Sequence, residues 1–587
     1  MFKKTETTSQ MDMFTSPEMY LCQRASKKYS DPKAWQNQFF RHLTSKVDES
    51  LFKVLFPKGK KSGRPNASIR VLVAMSALKE GFGCSDADLF EKCDFDMLTR
   101  RALGLDCLGD AAPSIDTWYL FRRRIYEYQE ETGIDLMQQV FEQITREQIQ
   151  TLEISGKCIR MDSKLIGSNI ARQSRYELIH KTLEKFLKDG ALTGLPEELR
   201  EKAEDYLKED SSKTVYRSDS ETLQSRLQTI GEFIHAVLGQ SHVEYPHYDL
   251  LRRVFGEQYT VSDDGRVQLR DKRTVSSNSV QNPNDPEASF RDKHGQKVQG
   301  YVTNITETVE EGKPSVITSV QVETATFADC HFVEQAVENS ERVTKSTIED
   351  LYADGAYQSP ENRKFAEEHG GMNLKTGKMQ GGARWELIPH DHDDGLTVRE
   401  IATGNTYEAV KAKNAQGKRA RWRIPWNNNT GWRYFEDKDI EAYKLRKQIE
   451  SLPPEEQHKR NNVEAAMFQY SFHTRNGKTR YRGLLKHRMQ AYARSMWMNL
   501  RRLVIFQFFA FKRTFFALLE SLGGAFGYNV VMCMRPAFED DAFSVFLKMT
   551  VRNRQGMKNS PFSSGLIYEC LYVSAYRENG LQRYIFL

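Results

Sequence analysis

Lys157-Cys-Ile-Arg-Met-Asp162-Ser-Lys-Leu-Ile-Gly-Ser168 is the stretch on which the fold turns. It is short, rich in branched apolar residues and bounded by Gly156 and Gly167, which is the pattern of a β-strand. A carboxylate inside such a strand is costly to bury unless it is paired or bound to a metal. A second carboxylate of this kind closes the short apolar run Leu351-Tyr-Ala-Asp354-Gly. Glycine after Asp354 suits a site that needs close backbone approach. A third, Glu464, lies in the helical pattern Arg460-Asn-Asn-Val-Glu464-Ala-Ala-Met-Phe468. There Val463 and Met467 point inward, and Arg460 shares a face with Glu464.

Around these residues the chain reads as α/β. Residues 1–150 form a helical domain: Trp35 to Leu51 is amphipathic, and Ile69, Leu72, Val73 and Ser76 mark one side of a helix. Ser85 with Asp88 caps a second helix, and Ile115, Trp118, Phe121 and Ile125 line a third. Core strands occupy 151–174 and 256–384, including a hairpin of Val298–Val309 and Ser315–Glu323 around Glu311-Gly-Lys-Pro314. Residues 175–255 are a charged, Leu-punctuated helical insertion, and 385–455 a Trp-rich, strand-rich one. Helices are expected to resume from Lys459, with Leu485, Met489, Tyr492, Met496, Leu500 and Leu503 stepping by three and four. Residues 456–513 therefore carry the Glu464 helix and basic helices, and 514–587 are an apolar tail of open role.

Composition is that of a globular chain of 587 residues with a net charge of +6. The distribution of charge says more. From Lys459 to Arg513 there are thirteen Lys/Arg and one acid, Glu464. A stretch that basic is a solvated face or a polyanion-binding surface. The eight Cys form no CxxC pair, and the 13 His show no HExxH spacing, so no zinc site is expected. No secretory leader and no apolar run long enough to span a bilayer is read, which points to a cytoplasmic protein. Two strand carboxylates and a helix carboxylate are hard oxygen donors of the kind that hold Mg²⁺. Two such ions, about 3.5–4 Å apart, stabilise both oxygens of an in-line phosphoryl displacement. The neighbouring Lys/Arg would hold a DNA backbone beside them.

Together these residues resemble the catalytic core of DDE transposases of bacterial insertion sequences, over roughly residues 60 to 505. Gly63-Arg-Pro65, Gly81-Phe-Gly-Cys-Ser-Asp86, Ala102-Leu-Gly-Leu105 and Pro113-Ser-Ile-Asp-Thr-Trp118 to Arg124 are similar to the helical N-terminal domain of that family. Asn282-Pro-Asn-Asp-Pro-Glu-Ala288 with Gly300-Tyr301, Tyr352-Ala-Asp-Gly-Ala-Tyr357, Arg480-Tyr-Arg-Gly-Leu484 and Asn499-Leu-Arg-Arg502 are similar to its core. The resemblance implies an RNase H-like mixed sheet, with Asp162, Asp354 and Glu464 as catalytic, metal-holding triad and Mg²⁺ or Mn²⁺ as cofactor. It also implies binding to terminal inverted repeats and target DNA as a homodimer, and strand cleavage followed by strand transfer. The chain departs from the pattern at Gln457 and Ser471, where many relatives carry Tyr and Lys.

Arg460, Arg475, Arg480, Arg482 and Lys486 are the expected phosphate contacts near Glu464. For Arg122, Arg123 and Arg124, a solvated face and a DNA contact within a helix-turn-helix are both open. Trp422, Trp426 and Trp432 read first as core, with base stacking as the second reading. An active transposase and a DNA-binding protein that does not cut are both compatible with the chain.

Overall fold

The structure is a computed structural model. It describes residues 2–5, 16–56, 65–240, 245–293, 295–376, 384–390, 395–413, 420–426, 431–451 and 453–526, together with short paired strands at Asn529–Cys533, Phe546–Thr550, Ala575–Glu578 and Leu581–Tyr584. The basic turn 58–64 and most of the tail 514–587 lie outside the described residues. Two compact units divide the chain: residues 1–152, 312–314 and 496–587 in one, and 153–311 and 315–495 in the other.

The first unit is helical, as expected. It contains α1 (Gln23–Ser30), α2 (Trp35–His42), α3 (Ile69–Phe82), α4 (Asp86–Phe95), α5 (Met97–Leu103), α6 (Ile115–Thr132) and α7 (Leu136–Leu152). The Ser68 side chain caps α3, and Gly83 ends it in the left-handed region at φ 64°. The sequence suggests a one-sided stripe on α3, but Val71, Ala74, Met75 and Ala77 are buried as well, so this helix is the centre of its core. Its last turn holds Gly81 because a Cβ there would fall 2.2 Å from the Trp497 ring. The capping box of Ser85 and Asp88 forms at the start of α4.

The second unit starts with β1 (Cys158–Gly167). Next comes the insertion of α8 (Arg175–Lys188), α9 (Glu197–Lys208), α10 (Ser211–Arg217), α11 (Ser220–Leu238) and α12 (Tyr248–Gln258), closed by the hairpin β2 (Tyr259–Val261) and β3 (Val267–Leu269). Its own core joins Ile179, Phe186, Ile234 and Leu251 to Tyr259, Val267 and Val280. The insertion thus runs on past the expected boundary at 255, because the hairpin buries its apolar side against the helices and not against the main sheet.

The main sheet is completed by β4 (Ser289–Lys293), β5 (Gln296–Thr308), β6 (Ile317–Thr324), β7 (Asp350–Ala353) and β8 (Asn373–Thr376). β5 is its longest strand, and pairs with β1 on one side and with β4 and then β6 on the other. Those pairings are antiparallel, whereas β1–β7 and β7–β8 are parallel, so the sheet is mixed. The parallel crossovers carry α13 (Val333–Thr344) and α14 (Pro360–Glu368). Ile159, Met161, Leu351 and Ala353 pack with Val337 and Phe332 on that helical side.

A separate antiparallel sheet follows in strict sequence order: β9 (Trp385–Pro389), β10 (Leu396–Glu400), β11 (Thr406–Lys413), β12 (Ala420–Trp426) and β13 (Gly431–Glu436). Helix returns earlier than expected, at α15 (Asp437–Glu450), whose Ile440 closes the small core of Leu396, Trp422, Ile424 and Phe435. α16 (Pro454–Ser471) and the 43-residue α17 (Leu484–Phe526) come last.

Candidate active site

The register of β1 and β7 brings the two aspartates to the same level. Cys158 pairs with Asp350 and Arg160 with Tyr352, so continuing the parallel register sets Asp162 beside Asp354, just where β7 ends. Each carboxylate is oriented by the backbone that follows it. The Ser163 N–H donates to Asp162 Oδ1 at 2.8 Å, and the Gly355 N–H to Asp354 Oδ1 at 2.6 Å. The turn after Asp354 is anchored by Tyr357, a fully buried side chain whose hydroxyl donates to Asn304 Oδ1 on β5 at 2.7 Å. That contact accounts for the Tyr in the Asp-Gly-Ala-Tyr motif.

Alternation along β1 turns Arg160, Asp162 and Lys164 to the face opposite the Ile159–Met161 core. α16 crosses that face. Arg160 Nη1 donates to the Lys459 carbonyl at 2.9 Å, and Lys164 Nζ donates to Ser471 Oγ at 2.7 Å. Asp162 lies between those two anchors on the strand, and Glu464 lies between them on the helix. Val463, Ala466, Met467 and Tyr470 are buried beneath α16, as the helical spacing requires, while Glu464 is exposed. The Arg460 side chain is outside the described residues.

Electrostatics tie the three carboxylates together. Burial pushes the Asp162 carboxyl up to about 6, the Ser163 N–H opposes this, and the charges of Asp354 and then Glu464 raise it further. Lys293 on β4 pulls the other way. Among the described residues no three His, Cys, Asp or Glu side chains form a ready-made metal cage. Carboxylate oxygens are hard donors of the kind that suit a divalent cation, and a cation beside Asp162 would relieve the repulsion that the Asp354 and Glu464 charges exert on it.

Sequence reasoning missed the groups that hold this arrangement in place. The first is a knot at the start of α16. The Tyr352 hydroxyl donates to Glu456, and Lys375 lies 3.2 Å from Glu456 and 3.0 Å from Asp350. Lys459 also pairs with Glu456, at 2.5 Å. These bonds hold the Glu456 carboxyl down to about 2. The second is Asp329, which is buried, accepts from Ser163 Oγ at 2.9 Å and lies 3.6 Å from Arg291. It sits at a helix start in the sequence, where an Asp reads as an ordinary cap.

The third is a clamp on the basic hairpin that follows α16. Asp285, fully buried, accepts from the Tyr301 hydroxyl at 2.6 Å, from Ser168 Oγ, and from the Gly483 N–H at 3.0 Å. Glu287 accepts from the Leu484 N–H at 2.8 Å. Two carboxylates of Asn282-Pro-Asn-Asp-Pro-Glu287 thus satisfy the first N–H groups of α17, a favourable place for negative charge. Gly300 lets β5 pass there: a Cβ would be 2.3 Å from the Ile166 carbonyl. The hairpin is further tied to the end of β1 by Gly167 N–H to Gly477 O and Thr479 N–H to Gly167 O. Arg475, Arg480, Arg482 and Lys486 all project exposed from this clamped segment, although Arg482 Nε also donates to the Asn169 carbonyl at 2.7 Å.

In the helical unit the three arginines have local partners. Arg122 stacks 4.6 Å from the Trp118 ring centroid and donates to Tyr126, Arg123 pairs with Glu127 at 3.5 Å, and Arg124 lies over Phe56. Of the tryptophans, Trp422 is buried in the small sheet, and Trp432 is half exposed with Arg423 stacked 4.2 Å away. The Trp426 side chain lies outside the described residues.

Residues 28–124, from the end of α1 into α6, match the family described as Transposase domain (DUF772). This match supports a transposase family for the chain, and with it a DNA-processing enzyme. No curated protein and no solved structure matches. Among the described residues no helix is long and apolar enough to cross a membrane.

Proposed function

We propose that this chain is a DDE transposase of an insertion sequence, with an RNase H-like core that cuts and joins double-stranded DNA. The observation that carries this reading is the Asp162 carboxyl, half-buried within reach of the Asp354 and Glu464 charges and crossed by a helix anchored on both sides of it. The transposase-domain match over residues 28–124 supports it from an independent part of the chain. Asp162, Asp354 and Glu464 would hold Mg²⁺ or Mn²⁺, two ions in the full site, which when bound supply charge stabilisation for displacement at phosphorus. The Ser163 and Gly355 N–H groups aim the carboxylate oxygens. Arg475, Arg480, Arg482 and Lys486 hold the backbone of the terminal repeats or target, fixing the register of the DNA without reading its sequence. Two copies of the chain would pair the two ends of the element.

The exposure of Glu464, with no three-carboxylate cage among the described residues, favours a second reading: a protein that binds DNA without cutting it. Cleavage and joining of DNA carrying the element's flanking repeats, with and without Mg²⁺, separates the two. Products from the wild type and none from Asp162→Asn support the enzyme and its site. Tight binding with no products from either protein, in Mg²⁺ or Mn²⁺, selects the second reading.

A further inference from the structure

Lys164 lies two residues beyond Asp162 on the same face of β1 and is partly buried. Its ammonium donates to Ser471 Oγ at 2.7 Å, and among the described residues no carboxylate stands within 4.0 Å of it. Three cations described around α16 are committed. Arg160 pairs with Glu307 at 2.6 Å, Lys375 with Glu456 at 3.2 Å, and Lys459 with Glu456 at 2.5 Å. The Asp162 charge, two residues back, acts on this partly buried ammonium, but no ion pair closes on it, so it stays open to a further anion. Its position defines which anion. Three carboxylates beside it repel any phosphodiester that approaches, and a fixed cation at their edge offsets that repulsion. The Ser471 hydroxyl holds the ammonium on the α16 side of the strand, toward exposed Glu464. We propose that Lys164 is a phosphate-holding residue of the site, placing a backbone phosphate of the bound DNA next to the carboxylates. The inference rests on the transposase reading above.

The test is the salt dependence of binding to a short random-sequence DNA duplex, with Ca²⁺ in place of Mg²⁺ to keep the DNA uncut. Lys164→Gln, which keeps most of the length and a donor for Ser471 but loses the charge, should flatten the slope of log K against log salt by about 0.9, one phosphate contact. Lys164→Arg should restore the wild-type slope. Ser471→Ala, which removes the tether and leaves the charge, should also keep it. An unchanged slope in Lys164→Gln overturns the proposal, and so does a Ser471→Ala slope as flat as that of Lys164→Gln, which would make Lys164 a helix-docking group only. If Lys164→Gln fails to fold, Lys164→Met, which keeps the apolar stem without the charge, takes its place under the same criterion: a slope flattened by about 0.9 supports the proposal and an unchanged slope overturns it. Absence of wild-type binding at every salt concentration would instead overturn the transposase reading itself.

Discussion

A carboxyl that titrates near 6 makes Asp162 a measurable reporter of its site. Its folded value lies above the unfolded one, near 3.8, so the folded protein holds its proton more tightly. Stability from this group is therefore fully present below about pH 4 and declines as pH rises toward 6, by roughly 3 kcal/mol at most. Without divalent metal, the melting temperature should fall across that window in the wild type and fall less in Asp162→Asn. A divalent cation held by the triad reverses the penalty, so Mg²⁺ should raise the melting temperature more above pH 6 than below it. Equal Mg²⁺ shifts on both sides of pH 6, or the same shift in Asp162→Asn, would remove Asp162 from a metal site. Glu456 has the opposite sign. Its folded value of about 2 lies below the usual 4.5, so its contribution is present above about pH 4.5 and is lost as pH falls toward 2. Acid should thus loosen the start of α16 only at pH values well below those that matter for Asp162.

Among the elements, two glycines mark close approaches of different hardness. At Gly300 the atoms in the way belong to the backbone of β1, at 2.3 Å for the Ile166 carbonyl and 2.6 Å for the Ser168 nitrogen. At Gly81 the obstacle is a side-chain ring, Trp497, and not backbone. Gly300→Ala should destabilise its unit by more than the about 1–3 kcal/mol typical of overpacking, and Gly81→Ala by an amount inside that range. Thermal or denaturant unfolding of the two variants ranks them, and the reverse order would show that the β1–β5 contact is softer than its spacing implies. The five-stranded sheet offers a similar contrast between its tryptophans. Trp422→Ala empties a buried site and should cost about 3–5 kcal/mol, whereas Trp432→Ala removes a half-exposed ring stacked on Arg423 and should cost under about 1 kcal/mol. Because Trp432→Ala should stay folded, its cleavage rate is informative: a loss would support base stacking on that face, and an unchanged rate would count against it.

Across the whole molecule, what was legible in the sequence follows the range of the interactions involved. The strand around Asp162, the strand before Asp354, the hairpin at 298–323, the Ser85 capping box and the Glu464 helix are all written in local patterns. The end of the helical insertion was not, since Val280 belongs to it through packing against helices far back in the chain. Nor were the Asp285 clamp on Gly483, nearly two hundred residues away, or the Lys164–Ser471 contact, because no periodicity announces partners at such separations. The basic stretch lies between these cases: its charge is plain in the sequence, while the clamp that presents it is not. That presentation makes a last prediction quantitative. Arg475, Arg480, Arg482 and Lys486 project together from one clamped segment, so replacing all four with Gln should flatten the salt slope of DNA binding by about 3–4, close to 0.9 for each phosphate contact. Asp285→Asn leaves those four charges in place but weakens the acceptor for the Gly483 N–H and the Tyr301 hydroxyl. If the clamp matters because it aligns the four cations on one DNA backbone, this single neutral change far from any phosphate should flatten the slope as well. A full wild-type slope in a folded Asp285→Asn variant would mean that the basic hairpin finds the DNA backbone without being held.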